Sequence, residues 1–343
     1  MARILMTGLF PNEVRRMYGS LCRRLAFMGH DVRLLVPGET HRDYPIDLKL
    51  FRIIPGDDWA AGVVKILKEW KPDLAISVPH DAKIAQQTWT TLAVTGVPQV
   101  GMLTPYLELK GHHSISLTGS QKAAQWIVGT SSGQWLLSNH GVSDANQHLT
   151  GWPCFDWMRD WQYQPPQRFS ILLVDQAITP SYSLGNRLFK YMAMRPEYRL
   201  VIRLHAIEPR SDREAWLREI RSQNASNNCT LRNGELPIGN DLAVASVVVA
   251  IDSMAIWEAS QVGLPVLAYS AGSPPKSLVG YDGRGTIYFG DTPTFLPEML
   301  DRLAAHPTPA VNIKAPDTVA GTEPALDRIC RVLQPFLVNG THA

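Results

Sequence analysis

Three short stretches combine a titratable or phosphate-binding side chain with the glycine or helix start that would expose it. The first is Thr7-Gly8-Leu9-Phe10-Pro11-Asn12-Glu13. Gly8 permits a tight turn, and Glu13 then opens a helix, where its carboxylate could take the proton of an attacking hydroxyl. The plain structural alternative is a carboxylate that only complements the positive end of that helix. A single glycine is not the G-x-G-x-x-G fingerprint of dinucleotide sites. The second stretch is Arg203-Leu204-His205-Ala206-Ile207-Glu208-Pro209, directly after an apolar strand. An imidazole at a strand's carboxyl end can donate a hydrogen bond to phosphate and stabilise a departing nucleotide. Arg203 adds a cation beside it. The third stretch, Val247–Tyr269, reads VVVAIDSMAIWEASQVGLPVLAY. A buried strand ends at Asp252-Ser253, a helix begins at Met254, and Gly263-Leu264-Pro265 turns into the next strand. Ser253 beside free backbone N–H groups is a phosphate site in waiting, with Glu258 in the helix's second turn. The alternative makes Ser253 a simple N-cap and Glu258 a solvated helix residue.

Secondary candidates lie in two other loops. Pro79-His80-Asp81 offers Asp81 as a second base, and Gly111-His112-His113 offers His112 to an acceptor. Adjacent histidines seldom chelate one ion, and no third ligand stands near them, so no metal site is expected. Arg15, Arg16, Arg23 and Arg24 crowd the first helix. A solvated helix face explains them, and so does a flank that receives an anionic acceptor, with Arg16 and Arg23 its best contacts.

The elements that must position these residues follow from periodicity. Short apolar runs alternate with amphipathic stretches: strands at Arg3–Thr7, Val32–Val36, Leu50–Ile54, Leu74–Val78 and Pro98–Leu103, with helices between them. The stretch Thr150–Gln167 breaks the pattern, with Trp152, Trp157 and Trp161, three prolines and little periodicity, as a hinge would. The alternation resumes at Ser170–Val174 and ends in a helix at Ala325–Phe336. Two β-α-β series predict two doubly wound parallel-sheet domains, whose ligands bind beyond the carboxyl ends of the strands. The expected division is residues 1–150, a hinge at 151–167, a second domain at 168–320, and a helical tail at 321–343 packing across the hinge.

Composition sets the outer bounds. The 343 residues exceed one core, and 45% hydrophobic with 19% charged residues excludes disorder. The four cysteines show no C-x-x-C spacing, which suits a reducing compartment. MARILMTGLF has no signal-peptide architecture and no apolar run reaches membrane-spanning length, so a cytoplasmic protein without a membrane span is expected. A formal net charge of +2 announces neither nucleic acid nor an anionic membrane. The ten tryptophans could stack on sugars or bases, but core packing accounts for most such residues.

Thr150-Gly151-Trp152-Pro153-Cys154-Phe155-Asp156 resembles the T-G-x-P-x-x-D hinge of GT-B glycosyltransferases. His205-Ala206-Ile207-Glu208-Pro209 resembles their His-Pro motif, with Ala206 in place of the first proline. Asp252–Leu267 is similar to their S-x-x-x-x-E-A-x-x-x-G-x-P-V segment. Such motifs occur in bacterial sialyl-, Kdo- and glycerophosphate transferases and, modified, in UDP-GlcNAc 2-epimerases. The likeness runs along the chain in order and is strongest over Thr150–Tyr269. It implies the GT-B fold, two Rossmann-like domains facing a cleft, and transfer of a sugar from a nucleotide-activated donor to an acceptor hydroxyl. It places His205 and Ser253 on the donor phosphates and Glu258 on the nucleotide. The expected donor set is therefore Gly8, Arg203, His205, Ser253, Met254 and Glu258. Glu13 and Asp81 are the catalytic candidates, and Arg16, Arg23 and His112 the acceptor contacts. The nucleotide-sugar is a substrate, no cofactor is needed, and the acceptor is a glycan, another anion or a modified nucleic acid. A UDP-sugar 2-epimerase is the first alternative, though no H-V-E-A-G-L-R-like segment stands near Gly111–Ser116 and Met254 replaces a small residue. A non-catalytic nucleotide-sugar-binding protein is the second.

Overall fold

The structure, a computed structural model, describes residues 1–7, 18–37, 47–53, 58–78, 83–105, 108, 117, 119–175, 182–205, 210–222, 228–234, 238–251, 253–269, 286–290, 292, 294–307 and 323–338. The chain divides into two compact units, residues 1–156 with 317–343, and residues 157–316.

In the first unit, β1 (Arg3–Thr7), α1 (Gly19–Phe27), β2 (Asp31–Pro37), β3 (Leu50–Ile53), α2 (Trp59–Trp70), β4 (Leu74–Ser77), α3 (Lys83–Val94), β5 (Gln99–Met102), α4 (Gly119–Ala123), β6 (Gln125–Val128), α5 (Ser131–Asn139) and β7 (Gln147–Leu149) follow in order. All seven strands are parallel, in the order β3-β2-β1-β4-β5-β6-β7. A parallel sheet is covered on both faces, so its strands are apolar throughout instead of alternating. Every residue of β4 is accordingly buried. Local signals set the helix ends. Asp58 caps α2 through the amides of Ala60 and Ala61, and Lys71, at φ 48°, ends it before Pro72, which cannot continue a helix.

The second unit runs β8 (Ser170–Val174), α6 (Tyr182–Ala193), β9 (Arg199–Arg203), α7 (Arg210–Ser222), β10 (Cys229–Arg232), α8 (Gly239–Leu242), β11 (Val247–Ala250), α9 (Met254–Gln261), β12 (Val266–Tyr269), β13 (Ile287–Gly290) and α10 (Phe295–Ala305). Its six parallel strands order as β10-β9-β8-β11-β12-β13. Leu184, Leu188 and Phe189 of α6, Trp216 of α7 and Leu296 and Leu300 of α10 pack into one core with Ile171, Leu173, Val249 and Leu267. In both sheets the chain reverses direction beside the first strand, between β1 and β4 and between β8 and β11. That switch point is where an open α/β sheet leaves a crevice for ligand.

The motif Thr150–Asp156 has a mechanical role. The Asp156 carboxylate accepts the amides of Ala325 and Leu326 at the start of α11 (Ala325–Val338), and Arg328 donates to the Thr150 carbonyl at 2.7 Å. Asp327 of the same helix pairs with Arg24 at 2.8 Å. The last helix thus belongs to the first unit through named contacts. The tryptophans serve mainly as core. Trp59, Trp70, Trp89, Trp126, Trp152, Trp216 and Trp257 are all buried, and Trp89 stacks on Trp126 with centroids 5.6 Å apart. Among the described residues, no helix is long and apolar enough to cross a membrane.

Trp152 lies directly on the backbone of Gly129, and a methyl group there would overlap its indole. Gly129→Ala should therefore lower the unfolding free energy by about 1–3 kcal/mol, the usual cost of overpacking a filled core. Urea unfolding checks it, and a midpoint equal to that of the parent would show that Trp152 moves aside freely.

Candidate functional site

The third motif becomes a defined structure in the second unit. β11 is buried along its whole length, as a central strand of a covered sheet must be, and Ser253 caps α9 two residues beyond Ile251. Ser253 is extended (φ −136°, ψ 146°) and its Oγ accepts the amide of Ala255 at 3.2 Å. Met254, half-buried, is the first helical residue. All seven residues from Ala255 to Gln261 are buried. Glu258 is among them, with 3% of its surface exposed, so it is no solvated helix residue. The helix ends at Gly263, whose φ of 79° is a left-handed conformation that glycine adopts without penalty. Pro265 then leads into β12. Ser253 and Glu258 thus stand one helical turn and a half apart on a helix that opens at the switch point.

His205 follows β9 and is half-buried at the carboxyl end of that strand. Arg203, two residues earlier, is turned inward. Its side chain is 4% exposed, Nη1 donates to Asp241 at 2.6 Å, and Nη2 donates to the Gly234 carbonyl at 2.9 Å. Arg232 approaches the same carboxylate at 3.8 Å. The Arg203 charge is therefore matched inside the protein, where it ties the ends of β9 and β10 to α8.

Besides Asp241, two buried carboxylates escaped the sequence reading. Asp175, fully buried directly after β8, accepts a hydrogen bond from Nε1 of Trp216. It lies on the other side of the switch point from Ser253. Glu108, 2% exposed, lies at the carboxyl end of β6 in the first unit. It accepts the Gly129 amide at 2.8 Å and the Thr130 hydroxyl at 2.5 Å. Burial pushes its carboxyl up to about 8, against the pull of those donors. Nothing in the local sequence marks either residue, because the partners of each lie 21 or more positions away.

Of the acceptor arginines, Arg23 makes a two-pronged pair with Asp47, at 2.6 and 3.1 Å, and Arg24 pairs with Asp327. The hydrogen bond from Arg23 holds the Asp47 carboxyl below the usual range. Half of the expected basic flank is thus already matched by carboxylates. Gly8, Glu13, Arg15, Arg16, Asp81, His112 and His113 lie outside the described residues.

No protein-family model matches the sequence, and no curated protein does. Solved structures match along almost the whole chain. A UDP-GlcNAc 2-epimerase from Neisseria meningitidis, bound to UDP-GlcNAc, is similar at a TM-score of 0.63 and 14% identity, covering 98% of this chain and 100% of that one. A putative UDP-N-acetylglucosamine 2-epimerase from Listeria monocytogenes is similar at 0.66 and 13%, covering 98% and 97%. MurG from Acinetobacter baumannii is similar at 0.62 and 13%, covering 98% and 100%. The chain has the GT-B fold, two Rossmann-like domains each built on a parallel sheet. That fold accommodates epimerase and transferase alike, and identities this low do not separate them.

The raised pKa of Glu108 fixes the sign of a pH effect. Between the ordinary value of 4.5 and about 8, the folded state holds a proton that the unfolded chain has lost. Stability is then fullest below 4.5 and falls as pH rises through 8, with a slope of up to about 1.4 kcal/mol per pH unit. Glu108→Gln, which mimics the protonated side chain, should remove that slope. Equal pH profiles for parent and variant in denaturant titrations would show that Glu108 stays ionised.

Proposed function

We propose that the protein is a glycosyltransferase whose nucleotide-activated sugar donor binds to the second unit, at the carboxyl ends of β9 and β11. The observation that carries this reading is Glu258. Its carboxylate is buried in a helix that begins at the switch point under a serine cap. A ribose or base offers the hydroxyl or N–H donors that suit that carboxylate. The Ser253 hydroxyl and the positive end of α9 suit the adjoining phosphate, and His205 from the neighbouring part of the sheet edge suits the leaving oxygen.

In this reading the nucleotide-sugar is a substrate and no cofactor takes part. His205 donates a hydrogen bond to the phosphate as the sugar–phosphate bond lengthens, and the helix N-terminus takes up part of the developing charge. A carboxylate of the first unit, Glu13 or Asp81, removes the proton of the acceptor hydroxyl. The arginine pairs with Asp47 and Asp327 favour a neutral glycan or small hydroxyl compound over a polyanion, since two of the four cations are already matched.

A second reading is supported by the solved structures named as UDP-GlcNAc 2-epimerases. An epimerase would invert C2 of the UDP-sugar with no acceptor present, whereas a transferase would move the sugar to an acceptor and leave C2 unchanged. A nucleotide-sugar-binding protein without catalysis would do neither.

The donor site is tested by calorimetric titration with UDP, CDP, GDP and ADP. One of these should bind, and His205→Ala and Ser253→Ala should each weaken it by about 1–3 kcal/mol. Unchanged affinity in both variants would remove these residues from the site. Glu13→Gln should retain donor affinity and lose about 10²–10⁴-fold in transfer rate.

A further inference from the structure

Arg187 is a cation with no ion pair among the described residues. It lies in the second turn of α6, half-buried, with its guanidinium carbon 5.2 Å from the ring centroid of Tyr269. Its Nη1 is buried and has no hydrogen-bond partner among the described residues. Asp301 of the neighbouring α10 is already engaged by the Tyr191 hydroxyl at 2.8 Å and by Arg195 at 3.1 Å. Those contacts lie further along α6, away from Arg187. The cation–π contact holds the guanidinium but does not neutralise it. Removing a charge from water without a partner is strongly unfavourable, and an unmade guanidinium N–H adds to the cost. A group kept in this state asks for an anion supplied from outside.

The sheet shows which anion. β11 and β12 pair with Ala250 opposite Ala268, so the next residues, Ile251 and Tyr269, are neighbours at the carboxyl edge. Ser253 lies two residues beyond Ile251. Arg187, stacked on Tyr269, therefore stands at the same end of the sheet as the Ser253 cap, about one strand spacing to the side. A guanidinium offers a planar fork of donors that matches phosphate oxygens.

We propose that Arg187 binds a phosphate group of the nucleoside diphosphate on the second unit, supplying the positive charge that opposes the leaving group. This rests on the reading above that the second unit takes the nucleotide. Tyr269 acts as a positioning residue that holds the guanidinium flat.

The test compares the full-length parent with Arg187→Met and Arg187→Lys, using inorganic pyrophosphate, UDP, CDP, GDP and ADP as probes in thermal-shift and calorimetric titrations. Without ligand, Arg187→Met should melt no lower than the parent, because it removes an uncompensated charge and keeps the stem. Pyrophosphate should raise the melting temperature of the parent but much less that of Arg187→Met, with affinity reduced about 10- to 100-fold and Arg187→Lys intermediate. Equal pyrophosphate affinity in parent and Arg187→Met, or none in either, overturns the proposal. A variant that melts lower while binding pyrophosphate as the parent does shows a packing residue only. The nucleotide reading fails separately: if pyrophosphate depends on Arg187 but no nucleoside diphosphate binds more tightly than pyrophosphate, the anion site stands and the donor assignment falls.

Discussion

Parallel pairing is the constraint on which the rest depends. Each strand must be followed by a crossover that returns the chain to the opposite end, so every strand delivers its loop to the same edge of its sheet. In both units the first strand sits between the second and the fourth, and the loops diverge there. Ser253 after β11, Asp175 after β8 and His205 after β9 converge because of that topology, although they are spread over 79 positions in a 343-residue chain. The apolar strands between them have no chemistry of their own. Their burial fixes the height at which each loop begins.

Charge matching sorts the polar residues at these edges. Arg203 and Asp241 neutralise one another under the edge of the second sheet, and Arg23 and Arg24 are matched by Asp47 and Asp327. Glu108 lies beneath its own cluster of donors at the edge of the first sheet. These groups hold loops in place. Arg187 differs, since it is a half-buried cation whose Nη1 has no hydrogen-bond partner among the described residues. It suits the phosphate end of a nucleotide, as the Glu258 carboxyl suits the hydroxyl or amide donors of the other end.

The fold was largely legible in the sequence because parallel strands read as short apolar runs and helices as amphipathic ones. Strands β1, β4 and β8 and helix α9 fall where the periodicity places them. Two edge strands did not announce themselves. Gln147–Leu149 is three residues long, and Ile287–Gly290 is partly exposed and ends in glycine. Within the site, the cap at Ser253 was legible because capping is local, and so was the order of strand, cap, helix and Gly-Leu-Pro turn. The burial of Glu258 was not, because it depends on how α9 is covered by the rest of the unit. Arg203 sits beside His205 in sequence, yet its partner is Asp241, 38 positions on, and that long-range pair turns it inward. Asp156 was visible as part of a motif, whereas its role as the cap of α11, 169 residues later, was not.

The central claim is that a nucleotide occupies the carboxyl edge of the second sheet. Amide hydrogen exchange of the intact protein, with and without a saturating nucleoside diphosphate, tests it residue by residue. The account predicts slowed exchange at Met254, Ala255 and Ile256 at the start of α9 and at His205, with the amides of β1 to β7 unchanged. Protection confined to the first unit, or no protection at α9 while the nucleotide is bound, would contradict it.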